Sequence, residues 1–172
     1  MNIQIAILGF LMSESLSGYE IKTRFENSIS NFFDASFGAI YPALNRMERD
    51  GWVQKRVVVQ EGRPNKNVYA ITEAGKVQFL AYLNTPLQDD LIRSDFLLRV
   101  FFGRYADPAQ YQKWMEEKTE KANDKLEQLR TLSAEVNGND AFEMKALDYG
   151  LAQYEMLLAW LQKELDLLKP RI

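Results

Sequence analysis

The side chains available for chemistry in this chain are carboxylates, amines, guanidinium groups and aromatic rings, because its 172 residues include neither Cys nor His. Disulfides, thiol nucleophiles, thiolate and imidazole zinc sites and Ser-His-Asp triads are thereby excluded. Without histidine the most used general base is missing, so a binding protein rather than an enzyme is expected, with no cofactor and no metal. Asp89, Asp90 and Asp95 imitate a metal cluster, but a helix cap is the better reading of carboxylates there. Arg63 and Lys66 flank Pro64 and Asn65 in a turn-forming run, which makes a tip with two cations. A third group is apolar and aromatic: Phe96, Val100, Phe101, Tyr105, Trp114, Tyr149 and Tyr154. A planar effector could stack among such rings, although rings at helical spacing more often fill a core.

Elements must hold these groups, and the apolar spacing indicates which. Ile3, Ile7, Phe10 and Leu11 follow helical spacing and predict a short helix ending near Met12. Ser17 and Glu20, three residues apart, form a capping box at the head of a second helix carrying Ile21, Phe25 and Ile29. Ser36 is a candidate N-cap for a third helix with Ile40, Leu44 and Met47 as its stripe. Pro42 is comfortable only in a first turn. Two readings stay open: the helix begins near Ala39, or its first turn is distorted. Gly51 supplies a left-handed stop. Residues 52–60 and 68–72 are then strand-like, with the basic tip between them. Three short helices followed by such a hairpin make the pattern of a winged helix-turn-helix.

After the hairpin the chain reads as a series of helices, with a break at Asn137-Gly138-Asn139-Asp140 before the last. Thr72 caps a helix carrying Val77, Leu80 and Leu83, which Pro86 interrupts. Leu91 to Tyr105 is so rich in bulk that burial on more than one side is expected. Asp107-Pro108-Ala109-Gln110 is a strong helix start. Met115, Thr119, Ala122, Leu126, Leu129, Ser133 and Val136 line that helix at heptad spacing. Met144, Leu147, Leu151, Tyr154, Leu158, Leu161, Leu165 and Leu168 line the last one. Sustained heptads make a coiled-coil seam. Packing within one chain would satisfy it, but bulk beside the seam tips the reading towards dimerisation.

Charge divides unevenly. Residues 1–84 hold nine Lys and Arg against eight acids, while residues 85–172 hold twelve against sixteen. The net charge of −3 argues against indiscriminate coating of nucleic acid and leaves room for a local basic surface. No apolar run approaches the ~20 residues of a membrane helix. The start, Met1-Asn2-Ile3-Gln4-Ile5, lacks the basic segment of a secretory leader, so a cytoplasmic location is expected.

The runs Ile7-Leu8-Gly9-Phe10-Leu11, Ser17-Gly18-Tyr19-Glu20-Ile21 and Ser36-Phe37-Gly38-Ala39-Ile40-Tyr41-Pro42-Ala43-Leu44 resemble the PadR family of bacterial transcriptional regulators. Asp50-Gly51-Trp52-Val53 and Val68-Tyr69-Ala70-Ile71-Thr72-Glu73-Ala74-Gly75 continue the resemblance in register. Ser94-Asp95-Phe96-Leu97-Leu98 and the two long helices are similar to the subgroup of phenolic-acid-responsive repressors and virulence-activator-like proteins. The resemblance implies a homodimer of winged-helix domains on a pseudo-palindromic operator, repression of transcription, and in some members release by a small aromatic molecule.

It also implies roles for residues. Ser36, Ala39, Tyr41 and Arg46 would stand on the recognition helix, Tyr19 would meet phosphate, and Arg63 and Lys66 would sit at the wing tip near phosphate or the minor groove. Against these roles, Tyr41 could be a core ring, Arg46 could pair with Glu48 or Asp50, and Arg63 could be a solvated charge. Two departures stand out. Ala39 occupies a place where many members carry Ser or Thr, and the wing reads Lys66-Asn67-Val68-Tyr69 instead of two cations before two aromatics.

The expected fold is mainly α with a small β-hairpin wing: an N-terminal winged helix-turn-helix and a C-terminal α-helical coiled-coil dimerisation domain. Residues 1–85 are the expected DNA-binding domain and residues 86–172 the expected dimerisation and effector domain. The effector candidates are the seven apolar and aromatic residues from Phe96 to Tyr154 named above. The rival reading is a winged-helix protein-interaction module that does not bind DNA.

Overall fold

The computed structural model describes residues 3–29, 33, 37–59, 62, 65–90, 92–135 and 141–169. The chain forms two compact units, Met1–Gln88 and Asp89–Ile172.

The first unit opens with α1 (Ile3–Leu11), then β1 (Leu16–Ser17) and α2 (Gly18–Arg24). α2 runs on into one π-helical turn, Phe25–Ile29. Both halves of the capping box form at its head: Ser17 accepts from the Glu20 N–H, and the Glu20 carboxylate takes the Ser17 N–H at 2.8 Å. The π turn carries Phe25 into the core, its ring edge-on to Phe10 with centroids 5.1 Å apart. A 3-10 turn, Phe37–Ala39, leads into α3 (Ile40–Arg49). Pro42 is therefore the third helical residue, inside the turn whose N–H groups have no helical partner to lose. Ser36, the expected cap, lies outside the described residues, and Ala39 at the N-cap makes no side-chain bond.

At the other end of α3, Gly51 (φ 74°) lets Trp52 N–H reach Met47 O at 2.8 Å and its own N–H reach Glu48 O at 3.1 Å. That pair is a Schellman stop. β2 (Val53–Val58) and β3 (Lys66–Ile71) follow, antiparallel from Val53↔Ile71 to Val58↔Lys66. The sheet has a third strand that the sequence did not announce. β1 pairs Leu16 with Tyr69 and Ser17 with Val68, giving the order β1-β3-β2. Ile7, Leu8, Ile21, Phe25, Ile40, Leu44 and Met47 form the centre of the core.

α4 (Glu73–Leu83) starts at the expected Thr72 cap, but its apolar stripe is not where the spacing put it. Val77, Leu80 and Leu83 are exposed, and Gly75 and Phe79 face the core instead. The Thr72 hydroxyl accepts the Gly75 N–H and donates to Gly51 O at 2.6 Å. This hook fixes the rotation of α4 before its own stripe can decide it.

In the second unit the helix expected from Leu91 is shorter. Leu91 itself lies outside the described residues, 92–94 are not helical, and α5 spans Asp95–Phe101 with a 3-10 turn, Gly103–Tyr105, behind it. Its cap is Ser94, which accepts the Leu97 N–H at 3.1 Å, and not the acidic group. Asp95 pairs with Arg99 at 2.7 Å. Burial on more than one side is not met within the chain. Phe96 and Val100 are half-buried, while Leu97, Leu98, Phe101 and Phe102 are exposed, because a helix this short meets its neighbour along one face.

α6 (Pro108–Glu135) and α7 (Ala141–Leu168) complete the unit. Asp107 Oδ1 accepts the Ala109 N–H at 2.8 Å, as the start signal requires. Met115, Ala122, Leu126 and Leu129 of α6 and Leu147 and Leu161 of α7 are buried. The heptad seam thus packs the two helices against each other within one chain, with Val136 outside the described residues. Tyr149 and Met156 stay exposed. Among the described residues no helix is long and apolar enough to cross a membrane, and no group of His, Cys, Asp or Glu could hold a metal.

Candidate nucleic-acid interface

α3 is amphipathic in a way that separates packing from contact. Ile40, Ala43, Leu44 and Met47 are buried, and Tyr41, Asn45, Arg46 and Arg49 lie exposed on the remaining surface. Tyr41 is 56% exposed, so it is not a core ring. Arg46 has no ion pair with the neighbours suspected of holding it. Glu48 instead faces Lys55 at 3.4 Å, and Asp50 faces Arg49 at 3.6 Å. Ala39 is half-buried at the foot of the helix.

Three elements meet beside this surface. The Tyr41 ring lies against Gly18 so closely that a Cβ there would stand 2.6 Å from Cε1. A side chain at position 18 would have to displace that ring. Tyr19, next along α2, is 72% exposed. Glu20 then reaches the wing, its Oε1 accepting from Lys66 Nζ at 2.7 Å. Tyr19, Tyr41 and Lys66 are thus assembled around the head of α2. Arg46 stands more than a turn further along α3. Ser36 and Arg63 lie outside the described residues.

The carboxylate at the centre of this arrangement takes donors on both of its oxygens. Lys66 first, then the Ser17 N–H and the Ser17 hydroxyl, pull the Glu20 pKa from 4.5 down to about 2. Its second role was not legible in the sequence, because a capping box accounts for a Glu at that place completely. Its partner lies 46 residues away in the chain. Arg56, exposed on β2 opposite Val68, is a further cation that the turn-centred reading of the wing passed over.

The expected effector residues divide. Phe96, Val100, Trp114 and Tyr154 come together in the core of the second unit, where burial raises the Tyr154 phenol. Phe96 meets Trp160 edge-on at 6.2 Å. Beside them is a cleft of about 240 Å³ whose lining includes Phe96, Arg99, Trp114, Lys118 and Lys121. Arg99 lies 5.4 Å from the Trp114 ring centre and Lys118 5.4 Å from that of Phe96. The buried Trp114 Nε1–H has no hydrogen-bond partner among the described residues. Phe101, Tyr105 and Tyr149 do not join them. Phe101 stacks edge-on with Phe102, Tyr105 lies under Arg104, and Tyr149 accepts from Gln153, all in exposed positions.

Comparison with known proteins places both units. Residues 7–81 match the transcriptional regulator PadR-like family, and residues 92–169 match the virulence activator alpha C-terminal family. A PadR-like transcriptional regulator of Bacillus cereus has the same fold, with 38% identity, a TM-score of 0.88 and 96% of each chain covered. A probable transcriptional regulator of Mycobacterium tuberculosis is 42% identical over 82 residues, 48% of this chain and 43% of that protein. The negative transcriptional regulator PadR of Bacillus subtilis is 29% identical over 102 residues, 58% of this chain and 56% of that protein. The matched stretches therefore span about half the length of these two curated relatives. The Bacillus subtilis protein has been solved with operator DNA (TM-score 0.86, 23% identity, 97% of this chain and 99% of that one) and with p-coumaric acid. At that identity the likeness is one of fold.

Proposed function

The chain belongs to the PadR-like family of transcriptional regulators, and from that premise we propose that it is a cytoplasmic, homodimeric, sequence-specific DNA-binding repressor and not an enzyme. Residues 1–85 would bind DNA, and residues 86–172 would form the dimer and take the effector. The observation that carries this reading is the exposed Tyr41–Arg46 face of α3, beside a β-wing and opposite the buried Ile40, Leu44 and Met47. In this reading α3 of each protomer enters the major groove of a pseudo-palindromic site, with half-sites about 34 Å apart. Ser36, Ala39, Tyr41 and Arg46 face base edges. Tyr19 and Lys66 face phosphate, and Arg63 faces phosphate or the minor groove.

A small aromatic acid is the effector that the second unit suits. Phe96 and Trp114 line the cleft with aromatic surface, and Lys118 and Lys121 line it with cations. Binding there would release DNA by changing the spacing of the two recognition helices.

Footprinting on the DNA upstream of the protein's own gene tests the proposal. The expected result is protection of an inverted repeat, with affinity falling steeply as salt rises. No footprint at any salt concentration would leave the winged-helix unit as a protein-interaction module and overturn the reading.

A further inference from the structure

The clasp between Glu20 and Lys66 does something that a capping box does not need. Glu20 already completes the box through Ser17, whose N–H and hydroxyl both donate to Oε2 at 2.8 Å. Lys66 adds a third donor, on the other oxygen, at 2.7 Å. The ammonium comes from the first residue of β3, whose backbone is fixed in the ladder opposite Val58. Only the side chain is free to move. Both partners are partly exposed, the Lys66 side chain at 35% and that of Glu20 at 41%. Such a pair is weak enough to be exchanged for another anion. If Lys66 leaves, the two Ser17 donors stay on the carboxylate, so the exchange strands no charge.

We propose that Glu20 is a specificity-determining residue: it withholds the Lys66 ammonium from random DNA and yields it to phosphate only when the remaining operator contacts are in register. The inference rests on the DNA-binding reading above. Its physical basis is the counting of counterions. Non-specific affinity follows the number of phosphates that cations neutralise. An ammonium already neutralised by a carboxylate adds nothing to that number. On the operator, base contacts by α3 hold the wing against the backbone long enough for phosphate to displace Glu20. Discrimination then comes from suppressing the wrong complex as well as from strengthening the right one.

The test compares Glu20→Gln, Lys66→Gln, the double variant and the unaltered protein. Each is titrated against the footprinted inverted repeat and a random duplex of equal length, from 50 to 200 mM salt. Lys66→Gln leaves the Ser17–Glu20 box intact and so keeps the fold. It should leave the salt slope on random DNA unchanged while lowering the operator slope by about 0.9. Glu20→Gln should steepen the random-DNA slope by about 0.9, which is roughly three- to fourfold in affinity across that salt range. The double variant should lose the effect. Equal loss of slope on both duplexes in Lys66→Gln would make the residue an ordinary phosphate contact and overturn the proposal. So would a Glu20→Gln slope that does not change, or a change that persists in the double variant. If the unaltered protein itself does not prefer the inverted repeat, the DNA-binding reading fails first and takes this one with it. An operator preference with unchanged variant slopes sinks only the clasp.

Discussion

Gly18 makes the room in which the Tyr41 ring sits, so a methyl group there is a probe of that ring alone. Gly18→Ala should push Tyr41 aside and lower operator affinity as far as Tyr41→Ala does. Its melting temperature should change little, since Gly18 is the first residue of α2 and the ring that the methyl displaces is exposed. Anisotropy titration with a melting curve separates the two effects, and a fall in melting temperature with intact affinity would contradict it. Glu20 makes a second prediction. Its pKa is lowered in the folded chain to about 2 from 4.5, so its stabilising effect is complete above about pH 4.5 and is lost as pH falls towards 2. Acid unfolding of Glu20→Gln should therefore be flatter across that window than that of the unaltered protein, as followed by circular dichroism. At this scale the sequence was informative about local partners and silent about distant ones. Ser17 with Glu20, Thr72 with Gly75 and Asp107 with Ala109 are bonds over two or three residues, and each was readable. Tyr41 over Gly18 and Lys66 on Glu20 are tertiary contacts with no spacing to betray them.

Elements were legible wherever one face faced one core. α3 showed its stripe because Ile40, Leu44 and Met47 all pack inward. α4 did not, because a hook from Thr72 to the Gly51 carbonyl decides its rotation. β1 was invisible, since two residues carry no periodicity and their pairing is with a strand more than fifty residues away. The α6–α7 seam was legible as a seam, and within one chain it packs the two helices against each other. Heptads specify that helices pack and do not say whose helices they are. These assignments separate in a stability test. Leu161→Ala removes a fully buried seam residue and should cost roughly 2–5 kcal/mol in denaturant unfolding. Val77→Ala, exposed on α4, should stay within about 0.5 kcal/mol. Similar losses for both would mean that the α4 stripe is covered in solution.

At the scale of the whole molecule, the apolar surface left in water by α5 and α7 is what a homodimer would have to explain. Phe101 on α5 is 77% exposed and Met156 on α7 70%, and apolar side chains left in water on such a scale mark candidate interaction surfaces. The intact protein should sediment as a dimer at micromolar concentration, and Phe101→Asp with Met156→Asp should sediment as a monomer. A dimer that ignores both changes would place its contact elsewhere. Effector and operator should also oppose each other. A hundredfold loss of DNA affinity on saturation with an aromatic acid corresponds to about 2.7 kcal/mol of coupling. Operator DNA must then weaken the acid by the same factor, which tryptophan fluorescence can follow. A quench indifferent to operator would show a binding cleft without regulation.

The two units have one more property: each is a single uninterrupted stretch of chain. Every apolar residue buried in the described core of the first lies between Ile7 and Tyr69. Synthesis proceeds from the N-terminus at roughly 5–20 residues per second, so this set leaves the ribosome seconds before α7 has been made. On the function proposed, a newborn chain holds one recognition helix before it holds the surface that would pair it with a second. Each molecule would then begin as a half-site reader, without the gain that two tethered contacts give over one. On that reading the chain order would make full occupancy of an operator the last property the protein acquires.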